Sequence, residues 1–161
     1  MIQQKAFTVT QGGADTAAET TIPTYIQPGI TFDAWELKTI EFTLKPDLLK
    51  AWASADSDFT LQFTKRSLSA SISRIVTYTD TDLISSINLA AILQGTAANY
   101  TLQASTWFVN LPSGILVYGE NLYTQLISTG TGATNVVWGR ILYEPKRLSQ
   151  SEALAIIASR P

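Results

Sequence analysis

Carboxylates are the groups in this chain best able to do acid–base chemistry, because it contains no histidine and no cysteine. That absence removes the commonest general base, the commonest metal ligand and the thiol nucleophile together. The acids occur as Glu36/Glu41, Asp56/Asp58 and Asp80/Asp82. Glycoside hydrolysis would need two of them facing each other across a cleft at a fixed separation. Glu36 and Glu41 have opposite parity along one predicted strand, which points them to opposite faces. The aspartate pairs fall in turns and lack the dense Asp/Asn/Gly spacing of a calcium loop. A Ser–His–Asp arrangement is impossible, and no Ser-x-x-Lys motif is present. The run Gly130-Thr131-Gly132 lacks the third glycine and the following helix of a nucleotide-binding fingerprint. The chain is therefore expected to be no enzyme, with no cofactor and no metal.

The elements that would position any such groups are β-strands. The length of 161 residues suits one domain with a sizeable core. Hydrophobic residues make up 45% but charged residues only 15%, against a usual charged share of about 25%. So few charges cannot cover an ordinary surface. Either Thr, Ser, Gln and Asn cover it, or neighbours bury it. A net charge of -2 gives no general attraction to nucleic acid or anionic membrane. The opening Met1-Ile2-Gln3-Gln4-Lys5 lacks the apolar run of a signal peptide, which leads to an expectation of synthesis in a host cytoplasm.

Residues 1–33 carry few charges and several turn signals, namely Gly12-Gly13, Pro23 and Pro28-Gly29. They read as an N-terminal arm with short strands, engaged in contacts between subunits. Residues 34–161 read as the sandwich domain. Ile40, Phe42 and Leu44 alternate with Glu41 and Thr43, while Trp35 and Leu37 have the opposite parity, so a bulge is expected near Lys38. Pro46–Trp52 reads as a short helix, and Asp58–Lys65 as the cleanest strand, with Phe59, Leu61 and Phe63 inward. Ala70–Thr79 and Asn99–Asn110 read as further strands. Asp80 or Asp82 is expected to cap a short helix through Leu83, Ile84 and Ile87, a segment whose Ile and Ser also suit a strand. Leu122–Thr129 and Asn135–Glu144 read as a hairpin, with Pro145 ending its second strand. Ser149 and Glu152 form a capping box for a C-terminal helix that buries Leu154 and Ile157. About eight strands without regularly alternating helices indicate an all-β, antiparallel sandwich, an eight-stranded single jelly roll with an extended N-terminal arm and a short C-terminal helix.

Among the tryptophans Trp35, Trp52, Trp107 and Trp138, three are candidate interface anchors: Trp35, Trp107 and Trp138, joined by Arg140 two residues beyond the last. Trp and Arg are enriched in that role. The same aromatics, exposed on one sheet face, would stack on sugars. The basic pairs Lys65-Arg66 and Lys146-Arg147 each lie at a strand end and are candidate weak polyanion contacts.

An extended arm, about eight antiparallel strands and an ending of Tyr143-Glu144-Pro145 followed by a capped helix together resemble viral capsid proteins of the single jelly-roll type. The resemblance implies a structural subunit that self-assembles with copies of itself and other virion proteins into a viral or phage particle. Many coat proteins of small viruses carry an Arg/Lys-rich arm, whereas this arm has Lys5 only. That departure argues against direct gripping of nucleic acid. It fits a shell around an internal membrane, a separately packaged genome, or a minor decorating subunit. The alternative is a carbohydrate-binding sandwich module of a phage fibre or adhesin, with a glycan as partner. With no histidine, no histidine-type transition near neutral pH is expected. An acid response would track carboxylates such as Glu41 or Glu144.

Overall fold

The computed structural model describes residues 1–26, 32–44, 57–68, 75–77, 79–91, 106–119, 121–130 and 134–158. The expected helix over Pro46–Trp52, the first part of Asn99–Asn110 and most of Ala70–Thr79 lie outside them. The strands are β1 (Gln3–Thr10), β2 (Ala17–Ile22), β3 (Asp33–Leu44), β4 (Ser57–Thr64), β5 (Leu83–Ala91), β6 (Thr106–Asn110), β7 (Leu116–Val117), β8 (Leu122–Thr129) and β9 (Val136–Arg147), followed by helix α1 (Gln150–Ala158).

Period-two alternation puts one face of each strand into a shared core. Phe7 and Val9 of β1, Ile40 and Phe42 of β3, Phe59, Leu61 and Phe63 of β4, Leu126 of β8, and Val137 and Ile141 of β9 are all buried there. Full burial of side chains of this size stabilises by about 1.5–3 kcal/mol each. Two sheets supply these faces. One has the order β1-β9-β3-β6, with β7 added on β3; the other has the order β2-β8-β4-β5. Among the described residues, every strand pairing is antiparallel.

The pairings are nested. β4 pairs with β5, β3 with β6, β2 with β8 and β1 with β9. The chain is thus one long antiparallel ribbon, folded back between β4 and β5 and wrapped so that its turns form two facing sheets. That wrapping defines a jelly roll.

The nesting corrects the expected arm. Within residues 1–26 lie the first two strands of the ribbon, β1 against β9 from Gln3↔Tyr143 to Thr10↔Val136, and β2 against β8. Their apolar side chains are few but placed inward, as with Phe7, Val9 and Ile22. The expected β8–β9 hairpin is likewise corrected, because β8 and β9 belong to different sheets and do not pair with each other. Pro145 does not end β9, which continues to Arg147. Proline is tolerated here because β1 pairs with β9 only as far as Tyr143, so Pro145 has a strand neighbour, β3, on one side alone. The predicted helix after Asp82 is instead β5. Its Ile and Ser residues suit a strand paired along β4.

The bulge near Lys38 is present as a register shift between Leu37 and Thr39. It keeps Trp35 and Leu37 in the core together with Ile40 and Phe42, and so turns Glu36 and Glu41 to the same outer face rather than opposite ones. Lys38 Nζ bonds Glu36 at 2.9 Å and reaches Glu144 at 3.5 Å. Chiefly through the Glu36–Lys38 hydrogen bond, the Glu36 carboxyl is held below its ordinary pKa and the Lys38 ammonium above its own. Glu36 therefore adds stability above the ordinary carboxylate range, and that contribution fades as pH falls through its lowered folded-state pKa. Lys38 adds stability below the ordinary lysine range and loses it as pH rises through its raised value. In chemical denaturation, the stability gap between wild type and Glu36→Gln should be present at neutral pH and shrink toward about pH 3. A gap that stays constant over that range would refute the assignment.

The C-terminal helix is capped as read from sequence. Ser149 N–H donates to Glu152 Oε2 at 2.7 Å, and Glu152 N–H donates to Ser149 Oγ at 3.3 Å. Its buried face differs from the expected one. Ala153 is buried and Ile156 packs with it against a second cluster of Ala34, Tyr118 and Leu148. Leu154 and Ile157 are left 57% and 38% exposed.

Candidate functional site

Two surfaces stand out, the outer faces of the two sheets, and they differ sharply. On β4, Thr60, Gln62 and Thr64 point away from the core yet are buried. The chain after β4 covers them. Val76 N–H donates to Gln62 Oε1 at 3.0 Å, and Leu68 N–H donates to Glu19 Oε2 at 2.7 Å. Glu19, on the edge strand β2, also accepts from Ser67 Oγ and from Gln125 Nε2. One carboxylate thus clasps the covering segment to the sheet.

The outer face of the first sheet is open. Register places Thr8, Trp138, Thr43 and Thr106 in one row across the strands, and Ala6, Arg140, Glu41 and Phe108 in the next. Gln4, Leu142, Thr39 and Asn110 form the third row. Trp138 is 46% and Phe108 63% exposed. Between short side chains lies a shallow depression of about 600 Å³, bordered by Gln4, Glu41, Thr43, Thr106, Trp138 and Arg140. Arg140 Nε donates to Glu41 Oε2, and Arg140 Nη1 donates to Gln4 Oε1 at 3.0 Å. The Thr43 and Thr106 hydroxyls share a hydrogen bond at 2.9 Å.

The candidate anchors separate in this frame. Trp138 and Arg140 share the open face. Trp107 lies on the opposite, inner side of its strand, stacked on Phe42 with ring centroids 5.4 Å apart. Trp35 is a core residue, stacked on Tyr143 at 3.9 Å, and it offers no surface to a partner. Trp52 lies outside the described residues. Burial raises the Tyr143 phenol pKa, and its hydroxyl donates to Gln3 Oε1 at 3.0 Å.

The basic pairs both lie at the end of the sandwich where β4 and β9 finish, but each arginine already has acidic partners. Arg66 reaches Asp82 at 2.8 Å and Asp80 at 3.4 Å. Arg147 reaches Asp33 at 3.1 Å. These bridges compete with any polyanion for the guanidinium groups. Lys65 donates its backbone N–H to Asp82, and Lys146 is exposed beside Arg147 on β9. Among the described residues, no group of three or more Asp, Glu, His or Cys side chains could hold a metal ion.

Parity along β9 was enough to place Trp138 and Arg140 on one face. Gln4, Glu41, Phe108 and Thr106 join them only through cross-strand register, for which the linear sequence carries no marker.

No family model and no curated protein matches this chain. Among solved structures, one of desmodium yellow mottle tymovirus aligns over 93% of this chain and 91% of its own, at 10% identity and a TM-score of 0.35. A structure of the empty head of turnip yellow mosaic virus aligns over 94% of this chain and 85% of its own, at 13% identity and a TM-score of 0.38. Likenesses at this level carry no inference about what the chain does.

Proposed function

We propose that this protein is a structural subunit that assembles with copies of itself into a viral or phage shell. The observation that carries the reading is the C-terminal helix. It is firmly capped and docked through Ala153 and Ile156, yet it turns Leu154 and Ile157 outward. A helix held this way with large aliphatic side chains on its free side is suited to burial against a neighbour. The scarcity of charge supports the same reading, since the core of a protein interface is depleted of charged residues. So does the wrapped two-sheet frame, whose rigid core can fix the angle between neighbours. Heterologous contacts that close by rotation build rings and shells. Fold by itself does not assign a role.

In the assembled particle, α1 is the contact element. Virion localisation and the absence of enzymatic activity follow from this reading. The substitution pair Leu154→Asp and Ile157→Asp should abolish higher-order species in size-exclusion chromatography with light scattering while leaving the far-ultraviolet circular dichroism of the sandwich intact. Unchanged assembly in that variant would refute the role of α1.

A further inference from the structure

The open face of the first sheet carries chemistry that assembly through α1 does not use. We infer that the depression beside Trp138 is a binding site for a neutral saccharide. This inference is independent of the shell reading and concerns a different surface.

A pyranose ring has one apolar face of C–H groups and a rim of hydroxyls that both donate and accept. Trp138 supplies the matching platform, an indole 46% exposed at the border of the depression. Around it stand polar groups held in place by one another, with part of their hydrogen-bonding capacity unspent. Arg140 donates through Nε to Glu41 and through Nη1 to Gln4, leaving Nη2 to donate. Glu41 uses Oε2 for Arg140 and keeps Oε1 as an acceptor. Gln4 accepts with Oε1 and keeps its amide NH₂ as a double donor. The bonded Thr43 and Thr106 hydroxyls border it as well. These groups sit on paired strands of a sheet, which is the rigid support a preorganised site needs.

Size and charge narrow the ligand. A depression of about 600 Å³ lies within the range of about 300–1,000 Å³ typical of small-molecule sites. Arg140 and Glu41 neutralise each other across it, so an anionic sugar gains nothing over a neutral one. A second copy of the chain is the less suitable occupant. It would have to cover a carboxylate and a guanidinium together with their unspent donors and acceptors, a costly burial unless each is met by a partner. Sugar hydroxyls meet them without exclusion of water.

The test uses the full chain, fluorescently labelled, on an array of neutral and anionic mono- and oligosaccharides, followed by calorimetric titration with the strongest neutral ligand. The expected result is saturable binding of at least one neutral saccharide. Trp138→Ala should weaken it about tenfold or more. Gln4→Ala, on an edge strand, should also weaken it with the thermal midpoint unchanged, which separates loss of the site from loss of the fold. Absence of binding to every neutral saccharide, or binding that both Trp138→Ala and Gln4→Ala leave intact, would overturn the inference. So would a shift in oligomeric state caused by Trp138→Ala, since the face would then be an interface between copies.

Discussion

Gly139→Val should destabilise the sandwich by about 3 kcal/mol. Gly139 is paired with Phe7 on one side and Phe42 on the other, and it has inward parity with Val137 and Ile141. A Cβ built there would lie 2.4 Å from Phe7 Cζ and 2.5 Å from the backbone oxygen of Glu41. The space that glycine leaves is taken by the Phe7 ring, which reaches across to make an edge contact with Phe63 of the other sheet at 5.4 Å. Rotating the ring away would relieve one clash but break this contact between the sheets. The clash with Glu41 O would remain, because it involves the backbone of the central strand β3. Gly139→Ala should show the same effect in smaller measure, and adding Phe7→Leu should recover only part of it. Urea denaturation of the three variants checks this. A Gly139→Val protein as stable as wild type would contradict the packing described.

The second large effect is expected at Gln11. This residue lies just past β1 and is buried, and its side chain closes one end of the sandwich. Gln11 Oε1 accepts from the backbone N–H of Asn135 at 2.9 Å and from Asn135 Nδ2 at 2.7 Å. Gln11 Nε2 donates to Ser128 Oγ at 2.8 Å and to the backbone oxygen of Thr16. Asn135 Nδ2 also donates to Ser128 Oγ, at 3.0 Å. One amide thus ties the β1–β2 turn to Ser128 of β8 and to Asn135 just before β9. Gln11→Ala removes the acceptor of the Asn135 backbone N–H and one of two acceptors of its side-chain amide, which keeps Ser128 Oγ. Losing such buried hydrogen bonds costs about 1–3 kcal/mol, and a loss in that range is expected. Hydrogen exchange should show the amide of Asn135 among those most accelerated. A thermal midpoint within about 2 °C of wild type would contradict this account.

These two residues mark where sequence and structure part. The inward alternation of Phe59, Leu61 and Phe63, the shift of parity at Lys38 and the Ser149–Glu152 capping box are local patterns, and each is found as read. Local alternation tells which side of a strand is apolar. It does not tell which sheet the strand joins. β8 and β9 therefore read as a hairpin when they belong to different sheets, and a glutamine in a polar turn gives no sign that it is buried. The first 33 residues look like an arm because few large apolar residues, such as Phe7, Val9 and Ile22, mark the inner faces of their strands, and the strand partners of these residues lie a hundred or more positions away. Polar alternation misleads in the other direction on β4. Thr60, Gln62 and Thr64 face away from the core but are covered by the chain that follows. In α1, the choice between Ile156 and Ile157 as the buried residue depends on where Tyr118 and Leu148 stand, a tertiary fact. The open face of the first sheet was half legible. Trp138 and Arg140 declare themselves by spacing, but Gln4 and Glu41 join them only through register.

The central claim, a wrapped sandwich that builds shells through α1, is tested most directly by electron microscopy of the purified full chain at high concentration. The predicted result is closed or ring-like particles of uniform size, with density joining the α1 helices of neighbouring subunits. A uniform population of monomers under the same conditions, folded and stable but unassembled, would contradict it.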